Sequence, residues 1–468
     1  MGTGLILPYH TFKYEGNIYI VNINRMKYGK ITEEMLKDLE EFEKNSDLSS
    51  VKPETMEKLK KLRLIKHKDY EFPSINDMPS KVKKPVVTTL NLFISQSCNL
   101  RCLYCYGEGG EYGEKGFMDE TTAYRAIDWL IEQSGEEKKL SLSFFGGEPL
   151  MNFQLIKKIV SFCEEKGKEH NKEFDFAITT NGTLLSDEII SYCKEKKITF
   201  LISFDGPKKI QDYNRPSREG NFSSYDKAIP GIKRLLSEIS DVNVRATIYG
   251  DVDIQYITDF LSDFGFSSHH FVRASQSPHN KSSEKEKHFL PVEKIIKFHR
   301  KEGKEILRAI KKREKDKIEK LKLSRFFNNY IMRDDMARKY FYCGIGRFYA
   351  AVSTSGDIYP CHRFVGLEEY KIGNIYSNEF SRDDHLKALV FTVDKCIKCW
   401  ARYFCGGNCV YEHMSYTGSI FEPAEETCRI MKAITETAIY VSSELDESDV
   451  KWLEDKEIIP KIPCYFDI

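Results

Sequence analysis

The chain has 468 residues, 41% hydrophobic and 30% charged, which is enough apolar material for about two to four domains and too much for a disordered chain. Lys+Arg 71 balance Asp+Glu 71, so no net field draws the chain to nucleic acid or an anionic membrane. No apolar run is long enough for a membrane helix and no secretory signal pattern opens the sequence, so a cytoplasmic protein is expected.

In chain order, TFKYEGNIYIVNI (residues 11–23) alternates apolar and polar residues around Glu15-Gly16-Asn17 and predicts a β-hairpin. EEMLKDLEEFEK and PETMEKLKKLRLI, the second opened by Pro53, predict two helices. Together they read as a winged-helix-like module over residues 1–86, closed by the polar, Pro-containing linker EFPSINDMPSKVKKP. From residue 88 an apolar strand, a loop and an amphipathic helix recur about six times. The strands are TTLNLFIS, LSLSFFG, FDFAITT, ITFLISF, VNVRATI and HHFVRAS. Such alternation predicts an α/β fold with a parallel sheet, a partial (β/α)6 TIM barrel over 87–283, whose ligands gather at the carboxyl ends of the strands. Residues 284–340 are charged and helical in period, a solvated helical connector, and 441–468 read as a C-terminal tail.

Cysteine supplies the chemistry. Thirteen thiols in a reducing compartment call for metal or cluster ligation rather than disulfides. Cys98, Cys102 and Cys105 stand in CxxxCxxC spacing directly after the first barrel strand. Three thiolates can ligate three irons of a cubane and leave the fourth with an open, catalytic position. A zinc site short of one ligand is the plainer alternative, with Tyr104 and Tyr106 as packing residues. Cys163, Cys193 and Cys464 lie apart and read as bystanders.

The motif Cys98-x3-Cys102-x-Tyr104-Cys105 resembles the CxxxCxφC signature of the radical SAM superfamily. That resemblance implies a [4Fe–4S] cluster that binds S-adenosylmethionine and cleaves it to a 5′-deoxyadenosyl radical. Successive strand ends are similar to the family's in the same order. Gly146-Gly147-Glu148-Pro149 looks like its GGEP motif for the methionine amine. Thr180-Asn181 resembles its polar strand end, Ser203 and Asp205 suit ribose or methionyl groups, and Arg245 suits the carboxylate.

Seven further cysteines follow. Twelve residues stand between Cys343 and Gly356 and four between Gly356 and Cys361; then come Cys396-x2-Cys399-x5-Cys405-x3-Cys409 and, after eighteen more, Cys428. The pattern is similar to the SPASM domain, here 341–440, with a zinc ribbon as the plainer reading. The resemblance implies two auxiliary [4Fe–4S] clusters, three clusters in all. Cys396, Cys399, Cys405 and Cys428 would hold the outer one, and Cys343, Cys361 and Cys409 the inner one, leaving an iron open to a substrate thiolate. His362 stands where sulfatase-maturing relatives carry Asp, as either a base or a hydrogen-bonding neighbour. The amino-terminal module resembles the PqqD-like element that binds a leader peptide by strand addition. The whole resembles a radical SAM/SPASM maturase that installs thioether links in a Cys-containing precursor peptide, of the ranthipeptide or sactipeptide kind. A reductant such as flavodoxin or ferredoxin is implied. Enzymes forming carbon–carbon links or oxidising a side chain, and an iron–sulfur electron carrier, are the alternatives.

Overall fold

The computed structural model describes residues 6–459 except 46, 68–69, 81–83, 279–287, 322–337 and 378–379. Parts of the predicted linker, connector and tail, and Cys464, lie outside the described residues.

Three antiparallel strands, β1 (Tyr9–Tyr14), β2 (Asn17–Asn22) and β3 (Tyr28–Ile31), open the chain in the order β1-β2-β3. Glu15 and Gly16 both take positive φ, 49° and 77°, as a two-residue hairpin whose twist matches the strands requires. Helices α1 (Glu33–Asn45) and α2 (Pro53–Lys61) cover one face, burying Ile18, Ile20 and Ile31 against Leu39, Phe42 and Leu59. The other face is also apolar. Phe12, Tyr14, Tyr19 and Val21 pack with Tyr403, Phe404, Ala438 and Ile439 from the far end of the chain. His10 stacks on Trp400 with ring centroids 4.3 Å apart.

The central sheet runs β4 (Thr89–Gln96), β6 (Lys139–Gly146), β7 (Glu173–Thr180), β8 (Thr199–Ser203), β9 (Val242–Ile248) and β10 (Ser268–Arg273), neighbours in that order and all parallel. A two-residue strand, β5 (Gly116–Phe117), pairs with the end of β4. Helices α3 (Glu120–Gln133), α4 (Phe153–His170), α5 (Asp187–Glu195), α6 (Lys208–Asn214), α7 (Ser224–Glu238) and α8 (Ile254–Phe264) make the crossovers. Each predicted strand is present. Local signals start several helices: Asp119, Ser186 and Ser223 accept from the backbone N–H three residues on. β4 is buried along seven of its eight residues, as a central strand covered on both faces must be.

The sheet does not stop at β4. On that edge β11 (Tyr349–Val352) pairs in parallel, with Tyr349 opposite Thr89, and β12 (Asp357–Tyr359) and β13 (Gly373–Asn374) continue antiparallel. The cysteine-rich region thus grows directly out of the barrel sheet.

Two parts of the sequence reading change here. The charged stretch after β10 is not merely a solvated connector. Its helix α9 (Val292–Lys311) buries Ile306, Ala309 and Ile310 against Val441, Val450 and Leu453. Residues 441–459 are no loose tail either: α10 (Glu425–Ser443) runs across the predicted boundary at 440, and α11 (Glu447–Asp455) follows with an Asp446 capping box. An amphipathic stripe among many Lys and Glu residues reads as solvated until its partner is known. Among the described residues no helix is long and apolar enough to cross a membrane.

Helix α9 meets α10 closely at Gly303, where an added Cβ would lie 2.3 Å from Thr437 Cγ2. Gly303→Leu is therefore expected to destabilise the chain by about 1–3 kcal/mol through overpacking, read by chemical denaturation.

Candidate active site

The loop carrying Cys98, Cys102 and Cys105 crosses the carboxyl ends of the parallel strands and is fastened to the segment after α6. Arg101 N donates to Pro216 O and Leu103 N to Asn214 O, each at 2.9 Å, and Arg218 N donates to Asn99 O at 2.9 Å. The Arg218 side chain adds Nε to Cys98 O at 2.7 Å and an ion pair with Glu111. From the other side the end of β6 presses in: Gly147 N donates to Ser95 O at 2.7 Å and Glu148 N to Ser97 O at 2.9 Å. An added Cβ at Gly146 would sit 2.0 Å from Ser95 O, and at Gly147 2.3 Å from Ser97 O. What the paired glycines admit here is the chain's own backbone.

The twelve described cysteines are free thiols. Burial pushes the Cys98 thiol up, and neighbouring Cys102, Glu148 and Cys105 add to it. The Cys102 thiol is pushed up to about 12, by burial first, with Arg215 opposing and Cys105 and Asp205 adding. Three crowded soft thiols fit a cluster that takes their protons, since the thiolate is the ligand form. No group of three His, Cys, Asp or Glu among the described residues converges tightly enough for one metal ion. A cubane spreads its thiolates over separate irons, whereas tetrahedral zinc gathers them on one.

Two buried carboxylates flank the loop. Glu148 is fully buried and accepts from Thr180 Oγ1 at 2.7 Å, Asn181 N at 2.8 Å and Leu150 N at 3.0 Å. Burial outweighs these donors and raises it to about 7. No cation pairs with it among the described residues, so its charge is free to meet a ligand ammonium. Asn181 ties β7 to the cysteine loop, its amide donating to Asn99 Oδ1 at 3.0 Å and to Cys98 Sγ at 3.7 Å.

Asp205 is different. It accepts from Arg215 Nη2 and Thr247 N at 2.9 Å, Tyr104 Oη at 2.5 Å and Asn214 Nδ2 at 3.2 Å. Both oxygens are engaged by the protein's own donors, and beside this carboxylate stand Ser203 and Arg245. These two are register partners on β8 and β9 and leave the same sheet face. Arg245 Nε is buried without a partner, and burial lowers its pKa, as does the nearby Arg363. Tyr104 is likewise engaged by the protein, with Arg215 5.4 Å above its ring.

The later cysteines fall into two groups. Around Cys361, burial raises the thiol, and Cys343 and Cys409 add to it. Around Cys405, burial raises the thiol to about 12, and Cys428, Cys399 and Cys396 add to it. His362 Nδ1 lies 3.6 Å from Cys361 Sγ and is hydrogen-bonded to Tyr349 Oη. Burial, Arg245 and Arg363 lower it to about 3, which makes it a neutral hydrogen-bonding neighbour of the thiol and a weak base. Tyr106 joins the first and second thiol groups. Its ring lies 6.3 Å from His362 and 6.1 Å from Tyr411, and it feels both Cys361 and Cys105.

Sequence reasoning missed Arg215, Arg218, Asn99 and Arg363. Arg363 pairs with Glu412, donates to Ser275 Oγ at 2.6 Å and lies 3.9 Å above the Tyr411 ring. The one available signal was the pair of arginines in Arg215-Pro-Ser-Arg218, close after the Asp-Gly-Pro strand end.

Residues 92–264 match the family model of the Radical SAM superfamily. The chain is 34% identical over 172 residues to an uncharacterized protein of Methanocaldococcus jannaschii, covering 37% of this chain and 56% of that one. It is 25% identical over 363 residues to the serine-type anaerobic sulfatase-maturating enzyme of Bacteroides thetaiotaomicron, covering 68% and 81%. The chain spans about half the length of the first curated relatives it matches. Among solved structures, anSMEcpe with bound AdoMet and Cp18Cys peptide aligns over 77% of this chain and 100% of its own at 20% identity, TM-score 0.62. The likeness to the Radical SAM superfamily is thus carried by residues 92–264, and that family implies a [4Fe–4S] cluster and S-adenosylmethionine.

Glu148→Gln is expected to weaken S-adenosylmethionine binding about ten- to a hundredfold, the loss of one charge-assisted hydrogen bond, read by calorimetry. The same variant tests the raised pKa. A carboxyl whose folded value of about 7 exceeds the ordinary 4.5 contributes stability below pH 4.5 that is lost as pH rises through 7. Up to about 3 kcal/mol of such decline should vanish in Glu148→Gln, measured on ligand-free protein as denaturation against pH.

Proposed function

We propose that the chain is a radical SAM peptide maturase that joins a cysteine sulfur to a carbon of another residue in a ribosomally made precursor. The observation that carries this reading is the gathering of the later cysteines into a group of three and a group of four, the first joined to the barrel cysteines through Tyr106. Forming a thioether breaks a C–H and an S–H bond: the 5′-deoxyadenosyl radical would take the hydrogen atom from carbon, the thiol would lose a proton, and an auxiliary cluster would accept the remaining electron, a need that a single cluster leaves open. When bound, the first cluster and S-adenosylmethionine supply the 5′-deoxyadenosyl radical.

The chain's own residues then have these roles. Cys98, Cys102 and Cys105 hold the first cluster, Cys343, Cys361 and Cys409 an inner one, and Cys396, Cys399, Cys405 and Cys428 an outer one. Glu148 binds the methionine ammonium, while Arg245 and Ser203 serve the carboxylate. Among the described residues the inner group has three cysteines, which suits a substrate thiolate as the fourth ligand. The three-stranded sheet before the barrel has β1 and β3 as its edges, where a leader peptide would add a strand. A similar solved structure is in keeping with a peptide substrate, since anSMEcpe binds the Cp18Cys peptide. Free thiols suit a reducing cytoplasmic setting, with flavodoxin or ferredoxin as reductant.

A second reading is oxidation of a single side chain, favoured by the sulfatase-maturating relative that the chain covers to 81%. Against it, His362 is a weak base where such enzymes usually carry Asp. The enzyme is expected to contain iron and sulfide, to form 5′-deoxyadenosine, and to remove two hydrogens per link from a co-expressed Cys-rich peptide, seen by mass spectrometry with loss of alkylatable thiol. An aldehyde trapped by hydrazine, with thiols intact, would instead favour the second reading. Cys98→Ala should abolish 5′-deoxyadenosine formation, whereas Cys361→Ala should keep S-adenosylmethionine cleavage and lose the link; cleavage and link surviving together would overturn the assignment.

A further inference from the structure

Arg215 is a buried cation aimed at the first cysteine loop, and neither the family motif nor the proposed binding of S-adenosylmethionine accounts for it. Its guanidinium is 7% exposed. One nitrogen, Nη2, pairs with Asp205 at 2.9 Å, while the other, Nη1, reaches Cys102 Sγ at 4.0 Å. The plane lies over the Tyr104 ring at 5.4 Å, and Tyr104 Oη donates to the opposite oxygen of Asp205. Thr247 N and Asn214 Nδ2 complete the donors to that carboxylate.

Docking of the loop does not need this side chain. The main chain already holds it through Leu103 N to Asn214 O and Arg101 N to Pro216 O, on either side of Arg215 in sequence. Burying a guanidinium and a carboxylate costs desolvation that packing alone would avoid with an apolar pair of similar volume. Arg215 Nε is even left without a partner. What the arginine adds and an apolar residue cannot is positive charge held at a fixed distance from the Cys102 sulfur.

We propose that Arg215 is a positioning residue whose guanidinium, held flat between Asp205 and Tyr104, sets the reduction potential of the cluster on Cys98, Cys102 and Cys105. A fixed positive charge beside a cluster ligand stabilises the form that has gained an electron, and hydrogen bonds to the sulfur act in the same sense. Asp205 offsets that charge and fixes its distance. The two residues therefore act with opposite signs. The inference rests on the loop being the cluster site proposed above.

The test is a potentiometric titration of the iron-loaded full chain followed by electron paramagnetic resonance, with S-adenosylmethionine added to mark the signal of this cluster. Arg215→Gln is expected to make reduction harder by roughly tenfold in the equilibrium, about 59 mV for one electron. Arg215→Lys keeps the charge without the planar fork and should fall between. Asp205→Asn leaves the arginine uncompensated and should shift the potential the other way. A merely structural role would move the substitutions in one direction or move none of them, and either result overturns the proposal. Should Arg215→Gln lose its iron, Asp205→Asn decides: a raised potential supports the inference and an unchanged one overturns it. Wild-type protein that binds no iron would overturn the cluster site itself and this inference with it, whereas iron-loaded protein indifferent to both substitutions overturns only the inference.

Discussion

The mouth of the barrel depends on one close approach of backbone to backbone. The end of β6 lies against the chain leaving β4 so tightly that Gly146 and Gly147 have no room for a Cβ beside Ser95 O and Ser97 O. That contact sets where Cys98 begins, because Ser97 is its neighbour in sequence. It also turns Glu148 into the interior, where Thr180 and Asn181 from β7 can reach it. A buried carboxylate and a cysteine loop are thus fixed relative to each other by main-chain hydrogen bonds, which vary less than side-chain rotamers.

A second constraint joins the rest of the molecule to that mouth. β11 pairs with β4 in register, so the strand that delivers the first cysteine loop is also the strand against which the later cysteines are built. The shared aromatic cluster of Phe93, Phe145, Phe364 and Tyr411, with Tyr106 and Cys361 packed on it, is the side-chain counterpart of that pairing. On the far side, α10 carries Cys428 in its first turn and Ala438 and Ile439 further along, where the amino-terminal sheet docks. One helix therefore connects the four-cysteine group to the module proposed to hold a leader peptide.

Charge around the thiols is handled in a consistent way. Arg215 near Cys102 is matched by Asp205, and Arg363 near Cys409 by Glu412. Pairing each guanidinium lets it stay charged out of water, since an unpaired buried ion would cost several kcal/mol, on the order of 3–5 when one partner is lost. Arg245 departs from this. Its Nε is buried without a partner among the described residues, and it leaves the same sheet face as Ser203.

The six parallel strands are legible in the sequence, because apolar runs and capped helices in alternation are a local signal, and so is the cysteine spacing, because it is linear along the chain. Glu148 was also legible from its Gly-Gly neighbours. What Asp205 and Tyr104 do became visible only in the folded chain: Asp205 looked like a ligand contact at a strand end and Tyr104 like the aromatic of the cysteine motif, yet Arg215 lies ten residues from one and far from the other in sequence, and no periodicity joins the three. The same holds for α9 and α10, whose buried stripes are diluted by Lys and Glu and become visible only when the two helices meet. Spacing fixes which atoms a chain can offer; the crossing of distant segments fixes which of those atoms another part of the chain has already taken.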